Sequence, residues 1–361
     1  MAVKSKSATQ IYFNKDHEMV RKAVREFVDK EINPHMDEWE EKGEAPLHDL
    51  FKKMGDLGFL GIRYDPQYGG QGLDYWYDTV FLEELGRVQG SGVPMAIAGK
   101  MVASIAVTEP GAGSDVSALQ TTAKKEGDDY VINGSKTYIT NGTQADFLTL
   151  LARTSDEPGY HSFSLLVVPT NLPGFQVSRK LKKMGCHSSD TAELFFDEMR
   201  IPAQNLIGKE GEGFIYQMQQ FQHERFSAIP MSYISAEEMI AMTVEHIRQR
   251  IVFGKPLISK QVLRHRLADW QTEIECLRQL TYHIVRMKEA GQDVTREVSM
   301  GKLYAARVLQ KVADGCLQMY GGLGFMEEML IARCYRDAKL ISIGGGADEV
   351  MREIIAKMEL G

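Results

Sequence analysis

The chain has 361 residues, of which 43% are hydrophobic and 25% charged, and its formal net charge is −7 at pH 7. This composition is ordinary for a globular protein of two or three domains, and it excludes disordered, collagen-like and coiled-coil chains. The negative charge argues against a nucleic-acid-binding protein, and no apolar run approaches the roughly 20 residues of a membrane span.

Cysteine usage and the first residues bear on the compartment. The four cysteines are scattered without a C-x-x-C pair, so we expect reduced thiols and neither a disulfide framework nor a zinc site. The first ten residues contain no apolar run of the kind that a secretory signal requires. We therefore expect a protein that is not secreted.

The first hundred residues predict three helices. The first has Asp16 as its N-cap and an apolar face at spacings of three and four, formed by Met19, Val20, Val24, Phe27, Val28 and Ile32. The second ends at Gly58 and carries Leu47, Leu50, Phe51, Met54 and Leu57. The third contains the apolar residues of 80–85.

The pattern changes near residue 104, where short β-type runs begin to alternate with turn pairs such as Asn133-Gly134. A helical period returns after residue 213 and continues in long amphipathic stretches with short breaks, which is typical of an antiparallel bundle. We therefore predict a helical domain at residues 1–104, an all-β domain at 105–212 and a C-terminal helical bundle at 213–361.

Residues 107–115, VTEPGAGSD, form a glycine-rich turn with small side chains. Free backbone N–H groups in such a turn let the chain approach a phosphate closely. The segment is not G-x-G-x-x-G and opens no predicted helix, which argues against a Rossmann fingerprint. Taken alone, it is equally compatible with a surface loop that covers one end of the β-domain.

A carboxylate interrupts an apolar stripe on the helix that follows residue 213. The stripe has a missing position at 224 or 225, occupied by Glu224 and Arg225, and its apolar members are Phe214, Met218, Phe221, Ala228 and Met231. A glutamate facing apolar neighbours loses hydration, which raises its pKa and suits it to act as a general base. The alternative is that Glu224 pairs with Arg225 or turns to solvent.

Three further segments expose backbone. Residues 343–349, IGGGADE, place three glycines before a helical run, where free N–H groups suit a phosphate or a carbonyl oxygen. A flexible turn capped by Asp348 explains the same residues. Residues 318–325 and 250–255 each indicate a helix end, and a solvated end is the simpler interpretation of both.

Taken together, these segments resemble the acyl-CoA dehydrogenase family along almost the whole chain. The matching motifs occur in the family's order, at residues 108–115, 138–142, 183–191, 201–202, 250–255, 261, 318–324 and 336–339. Several motifs in the right order are far more specific than any one of them. The resemblance implies an α+β multi-domain fold with an N-terminal helical domain, a central β-barrel and a C-terminal four-helix bundle.

The resemblance also implies FAD, bound non-covalently between the β-domain and the C-terminal helices. An acyl-CoA would lose an α-proton to a carboxylate and a β-hydrogen as hydride to flavin N5, giving the trans-2-enoyl-CoA. The implied cofactor contacts are Val107, Thr108, Gly113, Ser114, Tyr138, Thr140, Arg250, Phe253, Gln261, Gln318 and Gly322. The implied substrate contacts are Ser114, Arg225 and Gly345.

The position of the catalytic base distinguishes members of the family. Most carry it in a Tyr-Glu-Gly turn near the C-terminus, where this chain has Gly345, which has no side chain that could act. Isovaleryl- and long-chain-type members place it just before an arginine on the first C-terminal helix, and Glu224-Arg225 is similar to that arrangement. The resemblance therefore implies Glu224 as the base. The extra room left by residues 344–346 favours a bulky or branched acyl chain. Residues 342–350 and 217–222 resemble the citronellyl-CoA dehydrogenase subgroup, and we expect a branched or medium to long acyl chain as the substrate.

Three positions depart from the family pattern. Tyr138 stands where a tryptophan usually lies beside the flavin, and Val252 stands where a threonine often contacts it. The largest departure is an internal segment that is missing near residues 99–100, where family members have a helix with its flanking turns. Loss of that cover, at roughly 25 cal/mol for each Å² of apolar surface exposed, predicts a less stable chain.

The leading hypothesis is an FAD-dependent acyl-CoA dehydrogenase of fatty acid β-oxidation that passes electrons to an electron-transfer flavoprotein. Two alternatives remain open at this point: a flavin oxidase of the same fold that uses oxygen, and a truncated homologue without activity. The resemblance implies a homotetramer in the mitochondrial matrix or a bacterial cytoplasm, with no nucleic-acid partner, no metal and no membrane span.

Overall fold

The computed structural model describes residues 9–96 and 101–361. The N-terminal part is helical, as predicted, and its helices are α1 (Thr9–Tyr12), α2 (Lys15–Phe27), α3 (Met36–Lys42), α4 (Leu47–Asp56), α5 (Tyr75–Leu85) and α6 (Gly92–Ala96). Helix α4 buries four of the five apolar residues predicted for it, whereas Leu57 is its C-cap and is 57% exposed. Gly58 follows with a φ of 73°. Only glycine adopts that left-handed conformation without strain.

The start of the first long helix differs from the prediction. Helix α2 begins two residues earlier than expected, with Asn14 and not Asp16 as its N-cap. The Asn14 side chain accepts the His17 backbone N–H, and the His17 ring accepts the Asn14 N–H, so two helix-end donors are satisfied together. Asp16 instead lies in the first turn, where a negative charge is favoured by the helix dipole. Met19, assigned to the apolar face, is 64% exposed.

The central part is one eight-stranded sheet. Its strands are β1 (Ala103–Ala106), β2 (Thr122–Glu126), β3 (Asp129–Thr140), β4 (Phe147–Arg153), β5 (Phe163–Pro169), β6 (Phe175–Lys180), β7 (Thr191–Pro202) and β8 (Leu206–Ile207). The order runs β6-β7-β3-β2-β4-β5-β8, and β1 pairs in parallel with β4. The sheet has its own apolar core, which includes Ile132, Leu150 and Phe196.

The C-terminal part is helical, as predicted, and its helices are α7 (Gly213–Gln249), α8 (Gln261–Glu289), α9 (Thr295–Tyr320), α10 (Leu330–Ala338) and α11 (Asp348–Leu360). A short hairpin of β9 (Ile251–Val252) and β10 (Lys255–Pro256) joins α7 to α8. The N-terminal and C-terminal helices share one apolar core, in which Val24 and Phe81 pack in the same cluster as Tyr233 and Val308. Within the described residues no helix is long and apolar enough to span a membrane.

Helix α7 connects the sheet to the helical core. At its first residue, Gly213, a side-chain carbon would lie 2.3–2.4 Å from the backbone of Ser164 and Leu165 in β5, so only glycine fits. From there the helix runs for 37 residues, about 55 Å at 1.5 Å per residue. Its first turns therefore contact the β-domain, while its last turn and the β9–β10 hairpin lie at the opposite end.

The predicted gap near residues 99–100 falls outside the described residues. On its two sides, helix α6 ends at Ala96, and the backbone N–H of Val102 donates to an Asp146 carboxylate oxygen at 3.0 Å. The expectation of lower stability from the missing segment stays a prediction.

Candidate active site

Glu224 lies on the third turn of α7 and is half-buried. Its neighbour Arg225 is only 7% exposed, so the arginine fills the centre of the apolar stripe and Glu224 lies at its edge. Burial raises the pKa of Glu224, while a hydrogen bond from Gln220 and the charge of Arg225 oppose the rise. A raised pKa is what the sequence predicted for this carboxyl group, and it brings the group closer to the range of a general base.

Two glutamines on the same helix form a chain of hydrogen bonds that ends at the Glu224 carboxylate. The Gln220 side-chain amide donates to Oε1 of Glu224 at 2.9 Å, and the side-chain amide of Gln217 donates to Oε1 of Gln220 at 2.6 Å. Gln217 is 1% exposed. The described contacts leave Oε2 of Glu224 without a hydrogen bond, so this oxygen can accept a proton. Neither glutamine is among the site residues predicted from the sequence, although their spacing to Glu224 places them on one helix face.

The three-glycine turn before α11 is attached to α7 and α9 by two buried cations. Nε of Arg225 donates to the carbonyl oxygen of Gly345 at 2.9 Å, and the ammonium of Lys302 donates to that of Gly346. Gly345 and Gly346 have φ values of 63° and 103°, which favour glycine. A side-chain carbon on Gly345 would meet nothing within 4 Å, so the turn leaves open space at that point. The sequence analysis did not single out Lys302.

The glycine-rich loop of residues 107–114 lies against the same end of α7. Val107 and Ala112 belong to an apolar cluster with β4 and β5 residues, and Phe214, Tyr216 and Phe221 of α7 pack against that cluster. Phe221 is one helical turn from Glu224 and Arg225. The structure therefore brings the loop, the candidate base and the terminal turn into one region.

A buried ion pair fixes the shape of this loop. The Lys136 ammonium donates to Glu109, to the Val107 carbonyl and to the Leu151 carbonyl at 2.8–2.9 Å. Burial lowers the pKa of Lys136 to about 8, although Glu109 raises it. Glu109 also accepts the backbone N–H groups of residues 120 and 121. The hydrogen bonds of Lys136 and Glu109 therefore hold the loop in this conformation from its buried side.

The outer side of the loop offers donors. In residues 9–96 and 101–361, the N–H groups of Gly111, Gly113 and Ser114 have no hydrogen-bond acceptor. A side-chain carbon on either glycine would meet nothing within 4 Å. Adjacent free N–H groups around open space suit an anionic group such as a pyrophosphate. This donor set fits the phosphate part of a dinucleotide cofactor.

Tyr138 and Thr140 lie at the end of β3, beside this loop. The Thr137 N–H donates to the Thr108 carbonyl at 2.8 Å, and the Thr140 carbonyl accepts from the Ser104 hydroxyl. Tyr138 has a φ of 59°, within a register shift between β3 and β7, and is 70% exposed. The irregular strand therefore turns a large aromatic side chain outward, where a flat ring system could stack on it.

The other implied cofactor residues form a second group at the far end of α7. Arg250 donates to the Tyr320 carbonyl at 2.6 Å, next to the turn of Gly321 and Gly322. Gln261 and Gln318 are exposed, and Phe253, in the β9–β10 hairpin, is 92% exposed. Since about 55 Å of helix separates this end of α7 from the β-domain, one chain does not bring the two groups to one cofactor.

A cavity of about 670 Å³ opens between the first turns of α7, residues 160–161 and the α8–α9 connection. Its walls include the stacked rings of Tyr160 and Phe214, 4.1 Å apart, and the side chain of Met218. Lys288 supplies a cation at the rim and donates to the Tyr75 hydroxyl at 3.1 Å. An aromatic and apolar cavity with a cation suits a ligand that has both a flat ring and anionic groups. The described residues contain no cluster that could hold a metal ion.

Comparisons with known proteins agree with this geometry. Three family models match the chain: the acyl-CoA dehydrogenase N-terminal domain at residues 14–111, the middle domain at 104–199 and the C-terminal domain at 211–360. The long-chain specific acyl-CoA dehydrogenase of Sus scrofa mitochondria is 36% identical, over 96% of this chain and 86% of that protein. The chain belongs to the acyl-CoA dehydrogenase family. An acyl-CoA dehydrogenase of Bacillus subtilis is 35% identical over 97% of this chain and all of that protein.

Solved structures of acyl-CoA dehydrogenases confirm the predicted fold. A probable acyl-CoA dehydrogenase from Mycobacterium abscessus superposes with a TM-score of 0.92 at 39% identity, covering 96% of this chain and 99% of the other. A glutaryl-CoA dehydrogenase from Mycobacterium smegmatis, solved in complex with FADH2, has a TM-score of 0.87 at 27% identity and covers 98% of this chain and 97% of the other.

The family settles the class of reaction. The chain is a flavoprotein oxidoreductase that acts on the CH–CH bond of an acyl-CoA and uses FAD, as the sequence predicted. The alignment with the porcine enzyme is 373 residues long, whereas 96% of this 361-residue chain is about 347 residues. About 26 positions of that alignment therefore have no residue of this chain opposite them.

Proposed function

We propose that this chain dehydrogenates a branched or medium to long acyl-CoA with Glu224 as the catalytic base. The observation that carries the proposal is the position of a half-buried carboxylate with a raised pKa between the glycine-rich loop and the terminal turn. The turn itself has glycine at the position where a competing carboxylate would stand. Glu224 therefore has no competing carboxylate at position 345.

Glu224 removes the α-proton of the substrate. Oε1 is held by Gln220, so Oε2 is the oxygen that takes the α-proton of the thioester. The α-proton is only weakly acidic, and negative charge that develops on the thioester oxygen requires hydrogen-bond donors. The free N–H groups of the Gly345 turn supply them. Bound FAD supplies the acceptor for the β-hydrogen, which leaves with its electron pair as the carbon–carbon double bond forms.

The substrate and the cofactor approach Glu224 from two sides. We assign the pyrophosphate of FAD to the free N–H groups of Gly111, Gly113 and Ser114, and the flavin ring to the exposed face of Tyr138. We assign the nucleotide part of the acyl-CoA to the cavity beside Tyr160, Phe214 and Lys288. The acyl chain then passes the open space at Gly345, where no side chain limits branching.

We further propose that a second copy of the chain completes each cofactor site. One chain separates the β-domain contacts from Arg250, Phe253 and Gln318 by more than the length of an extended dinucleotide. A symmetric pair of chains would place the hairpin of each copy against the β-domain of the other. In a single chain Ile251 and Phe253 are 61% and 92% exposed, and a second copy of the chain would cover these apolar side chains. The homotetramer implied by the sequence contains such pairs.

The electron acceptor and the compartment are proposed from the resemblance to the family. We assign an electron-transfer flavoprotein as the acceptor, in a mitochondrial matrix or a bacterial cytoplasm. The related proteins come from mammalian mitochondria and from bacteria.

Anaerobic bleaching of the flavin absorbance tests the proposed reaction. The purified protein is mixed with straight and branched acyl-CoA thioesters of increasing length, and the visible spectrum is followed. We expect bleaching, with the fastest rate for a branched or longer chain. An absence of bleaching with every thioester, in a protein that carries flavin, would support the inactive homologue. Fast reoxidation in air without an electron-transfer flavoprotein would support the oxidase.

A further inference from the structure

The terminal glycine turn is held from behind by two side chains of different helices. Lys302 of α9 is 1% exposed, and its ammonium donates to the Gly346 carbonyl. Arg225 of α7 donates to the Gly345 carbonyl at 2.9 Å. Two consecutive carbonyl groups of the turn therefore point to buried cations.

Peptide planarity fixes what the other side of the turn presents. In a trans peptide, the C=O of one residue and the N–H of the next point in opposite directions. The N–H groups of Gly346 and Ala347 therefore point away from Arg225 and Lys302. Together with the Gly345 N–H, they have no hydrogen-bond acceptor among the residues that the structure describes. Three donors of the turn that Arg225 contacts are thus free for a ligand oxygen.

We propose that Lys302 is a positioning residue, whose ammonium turns the peptide groups of the terminal turn so that their N–H groups face the thioester oxygen of the substrate. This inference rests on the proposed function. Without Lys302 the Gly346 peptide can rotate, because glycine has no side chain that resists rotation. A rotated peptide would present a carbonyl, which repels the developing negative charge, in place of a donor.

The surroundings of Lys302 make this contact sensitive to pH. The pKa of Lys302 is lowered to about 8, because burial and the charge of Arg225 on α7 lower it more than Asp348 and Glu349 on α11 raise it. Above that pH the amine is neutral, and a neutral donor forms a weaker hydrogen bond than an ammonium. The contact that orients the Gly346 peptide therefore weakens as the pH rises through this value.

The carbonyl stretching frequency of a bound thioester measures the donors directly. An enoyl-CoA labelled with ¹³C at the thioester carbonyl is bound to the flavin-loaded enzyme, and its infrared difference spectrum is recorded. Hydrogen bonds to the carbonyl lower this frequency. We expect Lys302→Met to raise it and to slow flavin bleaching by roughly 10- to 100-fold, less than the 10²–10³-fold typical for loss of a donor itself.

Two controls separate positioning from general damage. Lys311→Met changes an exposed lysine of the same helix, paired with Glu273, and should alter neither the frequency nor the rate. Lys302→Gln keeps a neutral donor and should restore part of both. Equal frequencies and rates in wild type and Lys302→Met would overturn the proposal.

A titration of the wild-type enzyme tests the same point without a variant that could fail to fold. We expect the bound carbonyl frequency to rise as the pH passes about 8, and a constant frequency from pH 6.5 to 9.5 would overturn the proposal. If no acyl-CoA bleaches the flavin, the proposed function fails, but the frequency of the bound enoyl-CoA still decides whether Lys302 positions the turn.

Discussion

The Gln220 side-chain amide donates a 2.9 Å hydrogen bond to Oε1 of Glu224, one helical turn further along α7. Burial raises the pKa of Glu224, and this hydrogen bond limits the rise because it stabilises the ionised form. The pair therefore keeps a desolvated carboxylate ionised enough to act as a base. It also leaves one oxygen of the carboxylate free for the proton.

Replacing Glu224 by glutamine tests the assignment of the base. Glu224→Gln keeps the volume and removes the basic oxygen, so anaerobic bleaching by a branched acyl-CoA should slow by about 10²–10⁴-fold. FAD content should stay at the wild-type level, because Glu224 is not one of the proposed cofactor contacts. Glu245→Gln, at an exposed position of the same helix, is the matched control and should bleach normally. Similar rates in Glu224→Gln and wild type would remove Glu224 from the mechanism.

Replacing Gln220 should shift the pH profile. In Gln220→Leu the ionised form of Glu224 loses a hydrogen bond, so its pKa rises further. The acidic limb of kcat/KM should move to higher pH by roughly 0.5–1 unit, since a net hydrogen bond of about 1 kcal/mol corresponds to about 0.7 unit. The rate well above the pKa should change little. Gln249→Leu, at the exposed end of α7, serves as the control, and an unshifted limb in Gln220→Leu would contradict the role of the hydrogen bond.

The sequence predicted Glu224 from one interrupted stripe, but it left positions 224 and 225 as alternatives for the centre. Adjacent helix positions differ by about 100°, so an apolar pattern with one gap cannot choose between two neighbours. The structure places Arg225 in the centre because its guanidinium reaches the Gly345 carbonyl. That contact depends on how α11 and its preceding turn pack against α7, which no local pattern encodes. Lys302 could not be predicted either, because a single lysine in an amphipathic helix normally faces solvent.

The glycine at 345 allows a rescue experiment. In the Glu224→Gln background, Gly345→Glu places a carboxylate on the terminal turn, where a side-chain carbon meets no atom within 4 Å. If both positions flank the same α-carbon, part of the bleaching rate should return. Gly345→Gln in the same background carries the same backbone strain, at a φ of 63°, and should restore nothing. Equal rates in the two double variants would show that position 345 does not flank the reacting α-carbon, and they would leave the assignment of Glu224 as the base unchanged.

The missing internal segment predicts a stability difference. Inserting the corresponding helix and turns of a related acyl-CoA dehydrogenase between residues 98 and 101 should raise the melting temperature. Covering several hundred Å² of apolar surface, at roughly 25 cal/mol per Å², is worth several kcal/mol. A scrambled insert of equal length and composition is the control, because it adds chain without an apolar face of matching shape. Equal midpoints for the native chain and the helix insert would refute the prediction.

Mixed assemblies test whether two copies share each cofactor site. Gly113→Asp puts a carboxylate on the glycine-rich loop to which we assign the pyrophosphate, in space that is open, and Arg250→Glu reverses the charge of the second group. Each variant alone should purify without flavin. Co-expressed with different tags and purified through both, a symmetric pair contains one site with both defects and one with none, so about half the wild-type flavin should be recovered. Arg248→Glu, an exposed charge reversal two residues away, should keep its flavin in either background. If each cofactor site lay within one chain, every site in the mixed pair would carry one defect, and the doubly purified protein would be colourless.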